Sequence, residues 1–318
     1  MAHDAIRRRF ATPLPMPDGP ALLDLAESYR LRLRATRKSV STIRNYLAVL
    51  HTLTDFLSER KLPVDITRIR QEHLEFFMID QLERLTPGTA CARYGWLHTF
   101  FRWCVEIGEM ENDPMARMHK PAVPDAPPPV PAIEDLRRLL ATCHGKDFNS
   151  RRDLAIFYVL LDTGMRRSEV ARLVWDELDM QTGRVTIHGK RTNGQDRTRY
   201  GRLSATSLMV LDAYKRVRRG HHYAAYPQIF IAQRGALTGV GIYAIVRRRA
   251  EQAGLDLRPH RFRHYFAHAW LAAGGSEGGL RALGGWRSGS EVMRRYGASL
   301  AAERALDEHG RLSPGDHL

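Results

Sequence analysis

Between Arg258 and Tyr296 the chain reads RPHRFRHYFAHAWLAAGGSEGGLRALGGWRSGSEVMRRY. His260 and Arg263 stand three residues apart, so on a helix they project from one face. A guanidinium can hold two phosphate oxygens at once, and an imidazole can donate to the same phosphate or shuttle a proton. The stretch closes with Arg294 and Arg295 running into Tyr296, a potential nucleophile. A free phenol has a pKa of about 10, so nearby cations would be needed to bias it toward phenolate. Upstream, Arg166 follows directly on Gly164-Met165, with Glu169 three residues further on, and Gly189-Lys190 precedes the turn signal Asn193-Gly194. Fixed cations, a nucleophile and an acid for the leaving oxygen are what phosphoryl transfer without a metal requires. Arg191, Arg197 or Arg199 could take the place of Lys190 at the phosphate. A metal reading is poorly supported. His260 and His264, or His264 and His268, have the i,i+4 spacing of a ligand pair, but no carboxylate or cysteine completes it and HExxH is absent. No metal and no cofactor is expected.

The elements that must position these groups fall into two expected domains. The chain has 318 residues, 43% of them hydrophobic and 26% charged, with a formal charge of +14. That length exceeds one ordinary core, and that charge favours a polyanion, either nucleic acid or an anionic membrane surface. No apolar run approaches the roughly 18 residues of a membrane span, and MAHDAIRRRF has no signal core. The three cysteines are widely spaced, which fits a reducing cytoplasm better than a disulfide framework.

Residues 1–20, with Arg7, Arg8 and Arg9, are expected to be a flexible basic leader. Residues 21–118 read as four helices: one through Tyr29 and Leu33, one started at Ser39 or Ser41, one over about 70–85, and one after a Thr86-Pro87-Gly88 turn, stopping at Gly108. Six prolines between Pro121 and Pro131 mark a linker over 119–132. The second domain, 133–318, opens with a helix to about Thr142. A capping box of Ser150 with Asp153 then starts an apolar helix ended by Gly164. Strands are expected around Val185–Ile187 and Thr198–Leu203, and helices return over 206–218, 238–253 and from Pro259. Gly274–Gly279 reads as a turning bridge, and Ser299–Glu308 as a last helix.

The ordered set TGMRRSE, GK, HRFRH, LGGW and RRY resembles the tyrosine recombinase (phage integrase) family, whose catalytic lobe reads TGLR-x-SE, a hairpin lysine, H-x-L-R-H, LG-H/W and a late tyrosine. The resemblance spans the whole second domain, and the helical domain before it is similar to the family's core-binding domain. It implies a mainly α chain: a four-helix, SAM-like core-binding domain and a mixed α+β catalytic domain with a small β-hairpin. By residue, it implies that Arg166, His260 and Arg263 hold the scissile phosphate, Glu169 supports the site, Lys190 protonates the leaving 5′ oxygen, Trp286 takes the His/Trp position, and Tyr296 is the nucleophile. The sequence departs from the family pattern in the doubled glycine Gly284-Gly285 and in a Trp286-to-Tyr296 spacing one residue longer.

The implied activity is site-specific DNA recombination through a 3′-phosphotyrosyl link, with integration, excision or resolution as its outcome. The implied partner is a double-stranded DNA site held in a C-shaped clamp. Family members assemble as homotetramers on paired sites and are monomers or weak dimers when free. A C-terminal helix packs on a neighbouring subunit or on its own. The twenty residues before the first helix leave no room in this chain for an arm-binding domain, so the two-domain form is expected. Basic candidates for contact with DNA are Arg37, Lys38, Arg44 and Arg93 in the first domain, and Arg191 and Arg261 in the second. Two other readings use the same residues: a type IB-like topoisomerase, and a DNA-binding regulator without chemistry.

Overall fold

The structure is a computed structural model, and it describes residues 19–124, 129–189, 198–286, 305–306, 309–310 and 312–313. The chain divides into two compact units, 1–125 and 126–318. It is mostly helical, with two small antiparallel sheets.

The first unit holds α1 (Ala26–Ala35), α2 (Val40–Glu59), α3 (Gln71–Arg84) and α4 (Pro87–Glu106). Each helix presents an apolar stripe to a common core that includes Tyr29, Leu50, Leu53, Phe77, Leu97 and Phe101. Ser39, rather than Ser41, caps α2 by accepting from the Thr42 N–H. Thr86-Pro87-Gly88 is not a separate turn. Thr86 is the cap of α4 and Pro87 its first residue, where the missing N–H costs nothing. After α4 the backbone turns at Gly108, with φ +80°, and stops the helix as its sequence suggests.

The second unit holds α5 (Ile133–Ala141), α6 (Phe148–Thr163), α7 (Arg167–Arg172), the hairpin β1 (Arg184–His188) and β2 (Thr198–Arg202), α8 (Ala205–Arg218), the short pair β3 (Ile231–Ala232) and β4 (Gly235–Ala236), α9 (Gly239–Gln252), α10 (Pro259–Ala272) and α11 (Glu277–Gly284). In β1–β2, Arg184 pairs with Arg202 and Ile187 with Arg199. α6 lies at the centre, packed by α8 and α10, with Phe157 stacked on Phe262 at 5.6 Å between ring centres.

Three local expectations need correction. Asp147, not Ser150, caps α6, accepting from the Ser150 N–H at 3.1 Å. Asp153 is fully buried and receives Arg152, Arg248 and Arg249, the last two at 2.9 Å. Its carboxylate ties α6 to α9 rather than capping anything. The glycine-rich bridge is largely helix. Ser276 accepts from the Gly279 N–H and starts α11, so Gly278, Gly279 and Gly284 are helical. The local cap outweighs the low helix propensity of glycine. The β3–β4 pair was not foreseen, because two-residue strands carry no period. Among the described residues no helix is long and apolar enough to cross a membrane.

Candidate active site

The site is built around two helix ends and one helix start. Gly164 ends α6 in the left-handed region at φ +57°, and a Cβ there would meet Phe266 of α10 at 2.5 Å. Only glycine lets the two helices approach so closely. That approach brings the Gly164 carbonyl within 2.7 Å of Arg263 Nη1. Gly285 ends α11 in the same conformation, φ +65°, and the Gly284 carbonyl accepts from Arg263 Nη2 at 2.6 Å. Arg263 therefore joins the C-terminal ends of α6 and α11, where helix carbonyls lack intrahelical donors and the dipole favours a cation. It is 2% exposed. Burial, then the charges of Arg166 and Arg199, lower its pKa to about 9, so it stays charged at neutral pH.

Arg166 precedes α7 in an extended conformation, and its N–H donates to Glu169 Oε2 at 2.8 Å. Its Nη1 donates to Glu169 Oε1 at 3.0 Å while 45% of its side chain stays exposed. Glu169 is buried beneath it. Burial pushes the Glu169 carboxyl up. Hydrogen bonding and charge from Arg199, then from Arg166, outweigh that and hold it below the usual carboxylate range.

His260 lies in the first turn of α10, solvent-exposed, with its ring 4.4 Å from that of His264. The surrounding protein, then Arg263, Arg166 and Arg261, hold its pKa below the ordinary value. It is neutral at pH 7 and can accept a proton. Trp286 is half-buried, and the Arg263 guanidinium lies 3.7 Å above its ring. In this geometry Trp286 meets Arg263 through its π face.

The structure thus gathers Arg166, Glu169, His260, Arg263 and Trp286 into one neighbourhood of the second unit. Lys190, Arg191, Arg197 and Tyr296 lie outside the described residues, as does most of the expected C-terminal helix. Arg199 is turned to a partner within the protein. Its side chain is 9% exposed and bound to Glu169. Arg261 is half-buried and donates to the Pro129 carbonyl at 2.6 Å. Arg93 donates to Gln81. Arg37, Lys38 and Arg44 are exposed on the first unit. There Lys38 and Arg44, with Arg30, Arg34 and His51, line a groove of about 760 Å³ floored by Ile43 and Leu47. The part played by Arg199 was missed, although a signal existed. Residues 199 and 201 share one face of β2 under strand alternation, which Leu203 continues just past its end, and Gly201 and Leu203 are buried.

Residues 132–303 match the sequence profile of the phage integrase family. The chain belongs to that family. Among its relatives is tyrosine recombinase XerD of Listeria innocua serovar 6a, 27% identical over 245 residues, covering 74% of this chain and 80% of the relative. Tyrosine recombinase XerC of Roseiflexus castenholzii is 30% identical over 246 residues, covering 74% and 76%. Solved structures share the fold. The Tn1549 transposon integrase in complex with a circular intermediate DNA superposes with a TM-score of 0.69 at 15% identity, covering 92% of this chain and 99% of that one. A lambda integrase dimer bound to a COC′ core site gives 0.66 at 13% identity, covering 87% and 95%. The chain is a tyrosine-type site-specific recombinase, with the mainly α fold of its neighbours.

Proposed function

We propose that this recombinase acts on a double-stranded DNA site, with Tyr296 as nucleophile and Arg166, Lys190, His260, Arg263 and Trp286 as the groups that act on the phosphate. The observation that carries the reading is the Arg166–Glu169–Arg263 arrangement. One guanidinium is part-exposed and held through one nitrogen by buried Glu169, and a second positive charge, that of Arg263, is fixed in the interior close enough to feel it. Such a site meets a phosphodiester with preorganised positive charge. The phenol oxygen of Tyr296 attacks phosphorus, and its proton passes to neutral His260. The bond from phosphorus to the 5′ oxygen breaks, and Lys190 protonates that oxygen, leaving a 3′-phosphotyrosyl link and a free 5′-hydroxyl. A 5′-hydroxyl from a partner duplex reverses the step. The bond energy stays in the covalent link, so rejoining needs no other energy source.

Residues 21–118 serve in this reading as the core-binding domain and 133–318 as the catalytic domain, with 119–132 between them. Arg37, Lys38 and Arg44 track the DNA backbone from the exposed face of the first unit. The reading extends to assembly as a homotetramer on paired sites and to work in the cytoplasm. The test is capture of DNA from a pool of nicked duplexes of varied sequence. The full chain should form an adduct that survives denaturant, and sequencing the captured DNA would give the site. Loss of the adduct in Tyr296→Phe supports the assignment, and an undiminished adduct in that variant contradicts it. Relaxation of supercoiled DNA without any paired-site requirement would favour a topoisomerase instead.

A further inference from the structure

Arg199 is an arginine that the proposed chemistry does not use, yet it is among the most thoroughly bonded groups near the site. Nη1 and Nη2 donate to the two oxygens of Glu169, at 3.1 and 2.7 Å. Nε donates to the Leu283 carbonyl at the end of α11, at 2.7 Å. Its side chain is 9% exposed and that of Glu169 1%. A Cβ on Gly285 would come within 3.1 Å of Arg199 Cδ, so the end of α11 is shaped around this side chain. One arginine thus joins β2, the start of α7 and the end of α11.

The electrostatic consequence concerns Arg166. Glu169 receives two guanidinium groups and one backbone N–H. Arg166 and Arg199 carry one positive charge each and Glu169 one negative, so the trio keeps a net positive charge. Of the two arginines, only Arg166 is widely open to solvent. Without Arg199, Glu169 would be a buried carboxylate with Arg166 as its sole guanidinium partner in the trio. It would then draw that guanidinium inward and cancel its charge. We propose that Arg199 is a positioning residue for strand cleavage: it neutralises and orients Glu169 so that Arg166, which gives Glu169 one nitrogen, keeps the rest of its part-exposed guanidinium and its charge for the phosphate. This rests on the assignment of Arg166 to the phosphate made above.

The test compares Arg199→Met, Arg199→Lys, Glu169→Gln and the Glu169→Gln/Arg199→Met double variant. Each is made in the full chain and assayed by adduct formation on a captured duplex, alongside duplex affinity. Arg199→Met should slow cleavage on the order of 100-fold, the scale of a misplaced catalytic group, with affinity little changed. Arg199→Lys, which keeps the charge but not the fork, should fall between wild type and Met. The decisive result is the double variant. Removing the charge of Glu169 should release Arg166 and recover roughly tenfold over Arg199→Met. Cleavage by Arg199→Met at the wild-type rate, or a double variant no faster than the single, overturns the proposal. Should Arg199→Met fail to fold, Arg199→Lys with and without Glu169→Gln makes the same comparison. If the wild-type chain forms no adduct, the reading of the function fails. The Arg199–Glu169 coupling is then still decided by urea unfolding of the same four variants, where additive losses would overturn it.

Discussion

Arginine is put to two opposite uses, one displayed on the surface of the first unit and the other in the interior of the second. On the first, Arg30, Arg34, Arg37 and Arg44 stand exposed on α1, α2 and the turn between them. In the second, Arg152, Arg218 and Arg263 are buried to within 6% exposure, and each is spent on named acceptors. Arg152 meets Asp153, and Arg218 reaches the carbonyls of Ala224, Tyr226, Gln228 and Ile229. Arg263 reaches those of Gly164 and Gly284. An exposed cation adds to long-range attraction and is screened by salt. A buried and fully bonded one fixes geometry, and its loss leaves desolvated acceptors behind. Composition alone counts both as part of the same +14, yet the first set should govern affinity and the second set shape.

That contrast can be broken by mutation. Asp153→Ala should cause the largest loss of stability, about 3–5 kcal/mol, because it strands Arg152 and Arg249 in the interior. Urea unfolding measures it, and a loss below about 1 kcal/mol would mean that the cluster is not a structural staple. Arg263→Ala and Arg166→Ala sharpen the comparison within the site. Each should lose about 3–4 kcal/mol of transition-state stabilisation. Only Arg263→Ala should also lower the unfolding midpoint, since it leaves two carbonyls without their donor, at about 1–3 kcal/mol each. Equal stability of the two variants would contradict the buried role of Arg263.

Acid should act more strongly on the second unit than on the first, where burial also holds the pKa of His73 below its ordinary value. His264 is held neutral, with its pKa lowered to about 3 by burial and then by His260, Arg261 and Arg263. In the unfolded chain it takes a proton near its ordinary value of 6.5. The unfolded state therefore binds more protons in this range, and stability falls as pH drops from 6.5 toward 3. Glu169, also depressed, adds a loss in the same direction at lower pH. Unfolding midpoints between pH 7 and 5 should fall, and His264→Gln should flatten that slope. The smallest effects belong to the first unit. Arg44→Glu or Lys38→Glu should leave stability within about 0.5 kcal/mol. Either should weaken duplex binding and reduce the salt dependence by roughly 0.9 for each phosphate no longer neutralised. An unchanged salt slope would remove the groove from the DNA-facing surface.

Much of this was legible in the chain. Helix bounds followed from apolar spacing and from strong punctuation at Ser39, Gly108, Gly164 and Pro259, because caps and left-handed glycines act locally. The cluster of Arg166, His260 and Arg263 was legible through motif order. What sequence did not reveal depends on burial. Asp153 sits where a capping box would place it, and only the packing of α9 on α6 makes it the acceptor of Arg248 and Arg249. The glycines after Gly274 looked like a bridge because propensity disfavours helix there, whereas Ser276 supplies a cap that propensity does not register. By sequence Arg199 is one more cation near the hairpin, and only the fold sets it against the buried carboxylate of Glu169.

The most direct measurement is to identify the residue that carries the DNA. After capture on a nicked duplex, nuclease and protease digestion followed by mass spectrometry should find the nucleotide remnant on the peptide containing Tyr296, joined through a 3′ phosphate. A remnant on any other residue, or a 5′ linkage, would contradict the account.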